Sequence, residues 1–382
     1  MNDKIKYVPI LKWKRAEQGA LTELTDQVKK SVMPLIEVVL PAPKEMQEIE
    51  EYDEYVSRRD TELAETVVAT AKQLKDAWGD HPMFVDFSLV YPDSIKVYSV
   101  NEIISTANDM NLAIVPVINL SDDDSYLQLI SSLQSSFKNG VCIRVTISDV
   151  KDKDTVALLD GKIASFVSKY KVDYSVIDLV VDLKETTDTL PYVTYARNAQ
   201  SLAKLKDFRS FIMASGAFPS DLGKCRTDEE NYIERSDWKN WNRLAGLEGI
   251  KRIPIYADYT IRHPVYDEAA LKHHPTVSLK YTVDLNWYIM KGQKLKNEQY
   301  LAHANILKDL KDIYYGEAFS WADAFILERG NYLPEYLKIL KETPEKAKGT
   351  GNAETWIKVG INHHVSVAVD QLSKRHGEKA SL

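Results

Sequence analysis

Cysteine is nearly absent from this chain of 382 residues: there are two, Cys142 and Cys225, with no CxxC between them. Two separated thiols build neither a disulfide framework nor a zinc knuckle. Cys142, inside the run GVCIRVTI, reads as a small core residue. Also missing are a GxxxxGK[ST] loop, a GxGxxG turn after a strand, a GxSxG elbow and the kinase motif set. Motor ATPase work, dinucleotide redox chemistry and nucleophile-elbow hydrolysis are disfavoured accordingly. No HExxH or HxH occurs. His363 and His364 are sequential, as are His273 and His274, so on a helix each pair diverges by about 100° and zinc is disfavoured. No apolar run is long enough to span a membrane, and the opening MNDKIKYVP carries no apolar leader. The expectation is a cytoplasmic protein without a membrane partner. Net charge is −7, which disfavours a protein that coats nucleic acid, because phosphate neutralisation needs clustered Lys and Arg.

What the chain does have is a series of eight short apolar runs: YVPILKWK, VMPLIEVV, PMFVDFSLV, LAIVPVINL, GVCIRVTI, VIDLVVDL, FIMASG and IPIYADYT. Most stop on a polar or charged residue, and helix-length stretches separate them. Parallel strands buried on both faces read as continuous apolar runs. Eight of them with helical crossovers predict an α/β chain folded as a (βα)8 TIM-like barrel, whose site lies at the C-terminal strand ends. The predicted barrel occupies 1–267. The register changes after Asp267: VSLKYTVDLNWYIMKG predicts a hairpin with a turn near 283–286. Helical segments follow, one starting at Ser320 with Asp323 at capping-box distance. NAETWIKVGINHHVSVAVDQLSKR predicts one long helix or two broken at Gly360. Residues 268–382 are therefore expected as a hairpin-plus-helix extension packing on the barrel. An acidic insertion, about 44–60, follows strand two, and a long seventh crossover, 217–250, carries Trp238 and Trp241. These two, with Trp287, Trp321 and Trp356, lie outside the barrel strands. They serve either base stacking or packing of the tail.

The strand ends supply the candidate site. Lys12 and Lys14 share one side of a strand by period two and, with Arg144, can hold phosphate or carboxylate. Glu37, Asp86, Asp182 and Asp258 sit in apolar surroundings, where unpartnered burial is costly. The carboxylates Glu37, Asp86 and Asp182 either ligate Mg2+ or Mn2+ or form an ion network with Lys12, Lys14 and Arg144. Asn119 ends strand four. Ser215 and Gly216 after strand seven, with Asp258 and Tyr259 after strand eight, occupy the positions where barrels commonly bind phosphate. His263 is the best-placed histidine for acid–base work. On this reading Asp86, Glu37, Asp182 and His263 carry chemistry. Lys12, Lys14, Arg144, Asn119, Ser215, Gly216, Asp258 and Tyr259 bind the ligand.

The segments KYVPILKWKRAEQGAL, ADYTIRHP, SLKYTVDLNWYIMKG, FSWADAFI and GNAETWIKVGINHH resemble the phage-type "beta protein" family over nearly the whole chain. The resemblance implies a phage or phage-conflict setting and brings no catalytic residues with it. Two functions stay open. One is a barrel that binds a phosphorylated or nucleotide-like ligand, with metal-assisted hydrolysis as an extension. The other is a non-catalytic component of a phage-defence or counter-defence module that binds a protein from the same gene cluster.

Overall fold

The computed structural model describes residues 5–40, 46–47, 51–91, 93–185, 187–265, 276–375 and 377. The expected boundary at 267/268, His273, His274 and part of the acidic insertion lie outside the described residues. Within them, eight parallel strands close a barrel: β1 (Tyr7–Lys12), β2 (Leu35–Glu37), β3 (Met83–Asp86), β4 (Ile114–Ile118), β5 (Val141–Thr146), β6 (Ile177–Glu185), β7 (Ser210–Gly216) and β9 (Ile255–Asp258). The seam closes between β9 and β1, with Tyr7 opposite Tyr256 and Val8 opposite Ala257.

Alternation along each strand sorts the side chains. Val8, Ile10, Leu35, Phe84, Val115, Val117, Cys142, Val180, Ile212, Ala214 and Ala257 fill the barrel interior. Their neighbours face the helices. The crossovers are α1 (Arg15–Thr22), α2 (Asp26–Lys29), α3 (Tyr52–Trp78), α4 (Asp93–Asp109), α5 (Asp124–Phe137), α6 (Lys153–Tyr170), α7 (Thr189–Ala199) and α8 (Ser236–Ala245). Their ends follow capping chemistry. Asp123 accepts a bond from the Ser125 amide, and Asp152 forms a reciprocal box with Thr155. At the barrel floor, fully buried Asp178 accepts from Ser210 Oγ at 2.6 Å and from the Arg209 guanidinium.

The hairpin forms as expected, from β10 (Thr276–Val283) and β11 (Asn286–Lys294), turning at Asp284 and Leu285. Asp284 takes a left-handed φ of 44° there. One strand was not expected: β8 (Glu230–Glu234), from the seventh crossover, pairs antiparallel with β11 and completes a three-stranded sheet. The barrel and the tail thus share a sheet. Then come α9 (Gln299–Leu307), α10 (Trp321–Glu342) and α11 (Ala353–Arg375). Ser320 caps α10 and also bonds Asp323.

Gly360 does not break α11. A β-carbon there would stand 2.6 Å from Ile261 Cδ1 and 3.0 Å from the Lys280 carbonyl oxygen, so glycine lets the last helix lie directly on the barrel and the hairpin. Trp238 and Trp241 are buried and stack with centroids 5.6 Å apart, both against Tyr256, which makes them packing residues. Among the described residues, no helix is long and apolar enough to cross a membrane.

Candidate site at the barrel mouth

Register places the charges. Lys12 stands opposite Glu37 and Glu37 opposite Asp86, so one inward row crosses β1, β2 and β3. Asp182 stands opposite Thr146, two residues beyond Arg144. From that lower position the Arg144 side chain reaches the carboxylates of three strands. Nη1 donates to Asp86 at 2.5 Å, Nη2 to Glu37 at 2.9 Å, and Nε and Nη2 to Asp182 at 3.0 and 2.7 Å. Tyr259 Oη receives a bond from Arg144 at 2.9 Å and donates to Asp182 at 2.6 Å. Arg144 is 8 % exposed, Glu37 3 %, Asp86 4 % and Asp182 not at all. Buried charges persist only when paired and hydrogen-bonded, and here each finds its partner.

Lys184 completes the cluster. It occupies a left-handed φ of 49° where β6 slips register against β7. Its amine lies 3.0 Å from both Asp182 and Tyr259 Oη, and 3.7 Å from Glu37. The side chain is 39 % exposed, so it roofs the network and touches solvent. Period two along VVDLKE puts Lys184 on the face of Asp182. The apolar run VIDLVVDL stops at Leu183, one residue short of it.

The electrostatics follow from this packing. Burial would raise the Asp182 carboxyl, but Arg144, Lys184 and Tyr259 outweigh it and hold it at about 2. Burial and then Asp182 push the Tyr259 phenol well up, so it stays a donor. Burial pulls the Lys12 amine down. Glu37 opposes this, while Arg262 and Lys184 add to it. Lys12 keeps a long contact of 3.6 Å to Glu37.

Other expected site residues stand elsewhere. Alternation along β9 turns Tyr259 inward and Asp258 outward, so Asp258 leaves the mouth. It lies between barrel and α11, where it accepts from Tyr7, from Tyr256 Oη at 2.7 Å and from the Thr260 amide at 2.9 Å, and where His364 Nε2 sits 2.9 Å away. The Trp287 indole N–H points at His364 Nδ1. That nitrogen must accept, so Nε2 carries the proton given to Asp258. Burial lowers the His364 pKa, in keeping with a neutral ring. Thr282 Oγ1 lies 2.9 Å from Nδ1, giving a hydroxyl–imidazole–carboxylate chain. All three residues have no exposed surface, and no substrate can reach them. His363 is equally buried, between Asp323 and the Thr282 carbonyl. The GINHH segment therefore joins tail to barrel.

Lys14 also leaves the row. The strand ends at Lys12, and Lys14 occupies the N-cap position of α1. It lines a cavity of about 630 Å3 with Trp13, Glu17, Gln73, Arg262 and Glu354. Asn119 is exposed and holds its own turn, accepting from Ser121. Ser215 is buried and faces outward, because Ala214 faces in. Gly216 admits Pro264 and Tyr259, which a β-carbon would meet at 3.0 and 3.1 Å. His263 pairs with Glu185 at 3.3 Å on the rim. Among the described residues, no three His, Cys, Asp or Glu side chains stand as a metal-ligand set. Glu37, Asp86 and Asp182 converge on Arg144 instead.

A family model described as "Beta protein" matches residues 7–370. No curated protein matches. Among solved structures, the chain is similar to the catalytic module of a family 98 glycoside hydrolase from Streptococcus pneumoniae TIGR4, at 10 % identity and a TM-score of 0.36. That likeness covers 67 % of this chain and 46 % of the module, so the chain spans under half the module's length. It is also similar to the enoyl reductase domain of MlnA from Bacillus amyloliquefaciens, at 10 % identity and a TM-score of 0.34, over 97 % of this chain and 81 % of that one.

Proposed function

The chain belongs to the beta protein family, and from that premise and the geometry of its barrel mouth we propose that the mouth binds a phosphate-bearing small molecule or nucleotide. The observation that carries this reading is Lys184: a strained, partly exposed cation at the top of a buried network in which Arg144 faces three carboxylates. Left-handed backbone at a non-glycine residue persists where the surroundings enforce it, and such positions cluster at ligand sites. Arg144 is committed to three carboxylates. Lys12 and Lys184 stand 3.6 and 3.7 Å from Glu37, and Lys184 also lies 3.0 Å from Asp182. Arg262 and Lys184 both depress the Lys12 amine, and a bound anion would relieve that crowding of positive charge. Metal-assisted hydrolysis has less support, since the oxygens that would face Mg2+ or Mn2+ are turned to Arg144.

Titration calorimetry with inorganic phosphate and adenosine monophosphate tests the reading. Losing one charge-assisted hydrogen bond, about 1.5–3 kcal/mol, predicts at least about tenfold weaker binding for Lys184→Ala. Lys311→Ala, an exposed control, should bind as the parent does. Absence of millimolar binding, or equal binding by Lys184→Ala, overturns it. The alternative, a protein-interaction component of a phage-defence or counter-defence module, loses one support, since Trp238 and Trp241 are buried.

A further inference from the structure

Trp13 follows the inward-facing Lys12, so its side chain turns outward and packs in the core between barrel and helices. The residue is 5 % exposed, yet its indole N–H has no hydrogen-bond partner among the described residues. Trp78, Trp241, Trp287 and Trp356 each donate theirs, to Pro82, Pro254, His364 and Thr350. A buried donor normally finds an acceptor. Trp13 lines the cleft of about 630 Å3 beside α1, a size in the range of small-molecule sites. α3 walls the cleft with Thr66, Ala69, Thr70 and Gln73, one stripe at helical spacing. Two polar pairs tie the helices around it. Gln18 Nε2 on α1 donates to Gln73 Oε1 at 3.3 Å, and Arg15 Nη2 stands 2.9 Å from Glu354 on α11.

The charged residues that line the cleft are Lys14, Arg15 and Arg262 against Glu17 and Glu354, so there is one more cation than carboxylates. Arg15 pairs with Glu354. Arg262 Nε stands 3.7 Å from buried Glu17, too far for a hydrogen bond. Lys14 is the N-cap residue of α1, and its side chain accepts no bond from the first turn, since an ammonium has no acceptor. First-turn amides have no partner within their own helix, and Arg15 and Ala16, which carry two of them, both line the cleft. Donors and surplus positive charge thus meet at one place, and Val39, Ala69 and Ile357 add apolar wall. We propose that this cleft binds an organic monocarboxylate. Its two oxygens accept from the Trp13 indole and the first turn of α1 and face Arg262, while its apolar body lies against Val39, Ala69 and Ile357. One surplus cation matches one negative charge, which favours a carboxylate over a phosphate dianion. The cleft uses none of Lys12, Arg144 and Lys184, so this reading and the anion site at the mouth can fail separately.

Phenylacetate is the probe, with phenylethyl alcohol as its uncharged counterpart and phenyl phosphate as the dianion. The full chain, isotopically labelled at its indole nitrogens, is titrated and followed by nuclear magnetic resonance, with Trp13→Phe assigning the Trp13 signal. That signal should move downfield and saturate at millimolar phenylacetate. The Trp287 signal, whose N–H already meets His364, should stay in place. Saturation transfer to the ligand protons then gives the affinities of variants. Trp13→Phe keeps an aromatic ring and drops the N–H, and Arg262→Met removes the cation; each should bind at least about tenfold more weakly. Ala69→Trp, at an exposed position of α3, should fill the cleft and abolish binding while melting at the parent temperature. The alcohol should bind at least about tenfold more weakly than the acid. A Trp13 signal that phenylacetate does not move, an alcohol that binds as well as the acid, or undiminished binding by Ala69→Trp overturns the proposal. Tighter binding of phenyl phosphate than of phenylacetate overturns the assignment to a carboxylate.

Discussion

At the residue scale, Arg144 has the largest consequence. It bonds three buried carboxylates. Arg144→Met leaves them facing one another, and breaking a buried pair by removing one partner costs about 3–5 kcal/mol. Urea unfolding of Arg144→Met should show a loss of that size. Asp182 sets an acid limit. Its folded pKa, about 2, is below the usual 3.9, so its stabilisation is present above about pH 4 and fades as pH falls towards 2. The shift corresponds to about 2.6 kcal/mol. Denaturation midpoints should drop across that window, and Asp182→Asn should flatten the drop. Asp237 acts with the opposite sign. Burial, then Asp258, raise its carboxyl to about 7. A raised acid favours the fold below pH 4 and loses that advantage as pH climbs to 7. Asp237→Asn should therefore be more stable than the parent at pH 8 and not at pH 4. The residues of the mouth cluster were legible because strand ends in a barrel converge. Which of them converge was set by parity: Asp258 and Tyr259 are adjacent, so only one can face in. The burial that makes Asp258 a join to α11 depends on His364, 106 residues later.

At the scale of elements, the barrel strands were legible because burial on both faces leaves a continuous apolar run. β8 was not. Its residues ENYIE alternate between exposed and half-exposed, and two of the five are charged, so its strand character comes from pairing with β11. Gly360 shows how two element-scale effects compete. Alanine at an exposed helix interior would gain about 1 kcal/mol over glycine. Here the β-carbon would press on Ile261 and on the Lys280 carbonyl. Overpacking costs about 1–3 kcal/mol and a backbone atom cannot turn away, so the clash wins. Gly360→Ala should lower the melting temperature, and Ile261→Val should restore part of the loss by shortening the chain that points at it.

For the whole molecule, the shared sheet makes barrel and tail one cooperative unit. A chain cut after residue 265 lacks the partner of β8, the cover of the β1–β9 seam and the imidazole that meets Asp258. It should expose apolar surface, bind a hydrophobic dye and unfold without a sharp transition, whereas the full chain should melt in one step. The apolar runs that mark eight strands carry no trace of this dependence, because it rests on pairings between distant segments.

That dependence also has a consequence in time. A ribosome adds about 5–20 residues each second. Asp258 is therefore made several seconds before His364, which lies 106 positions downstream. Throughout that interval Asp258, beside the closing seam, lacks the imidazole N–H that it accepts, and for the first part of it β8 lacks β11. The seam is thus the last part of the nascent chain to settle, and a truncated product leaves it open.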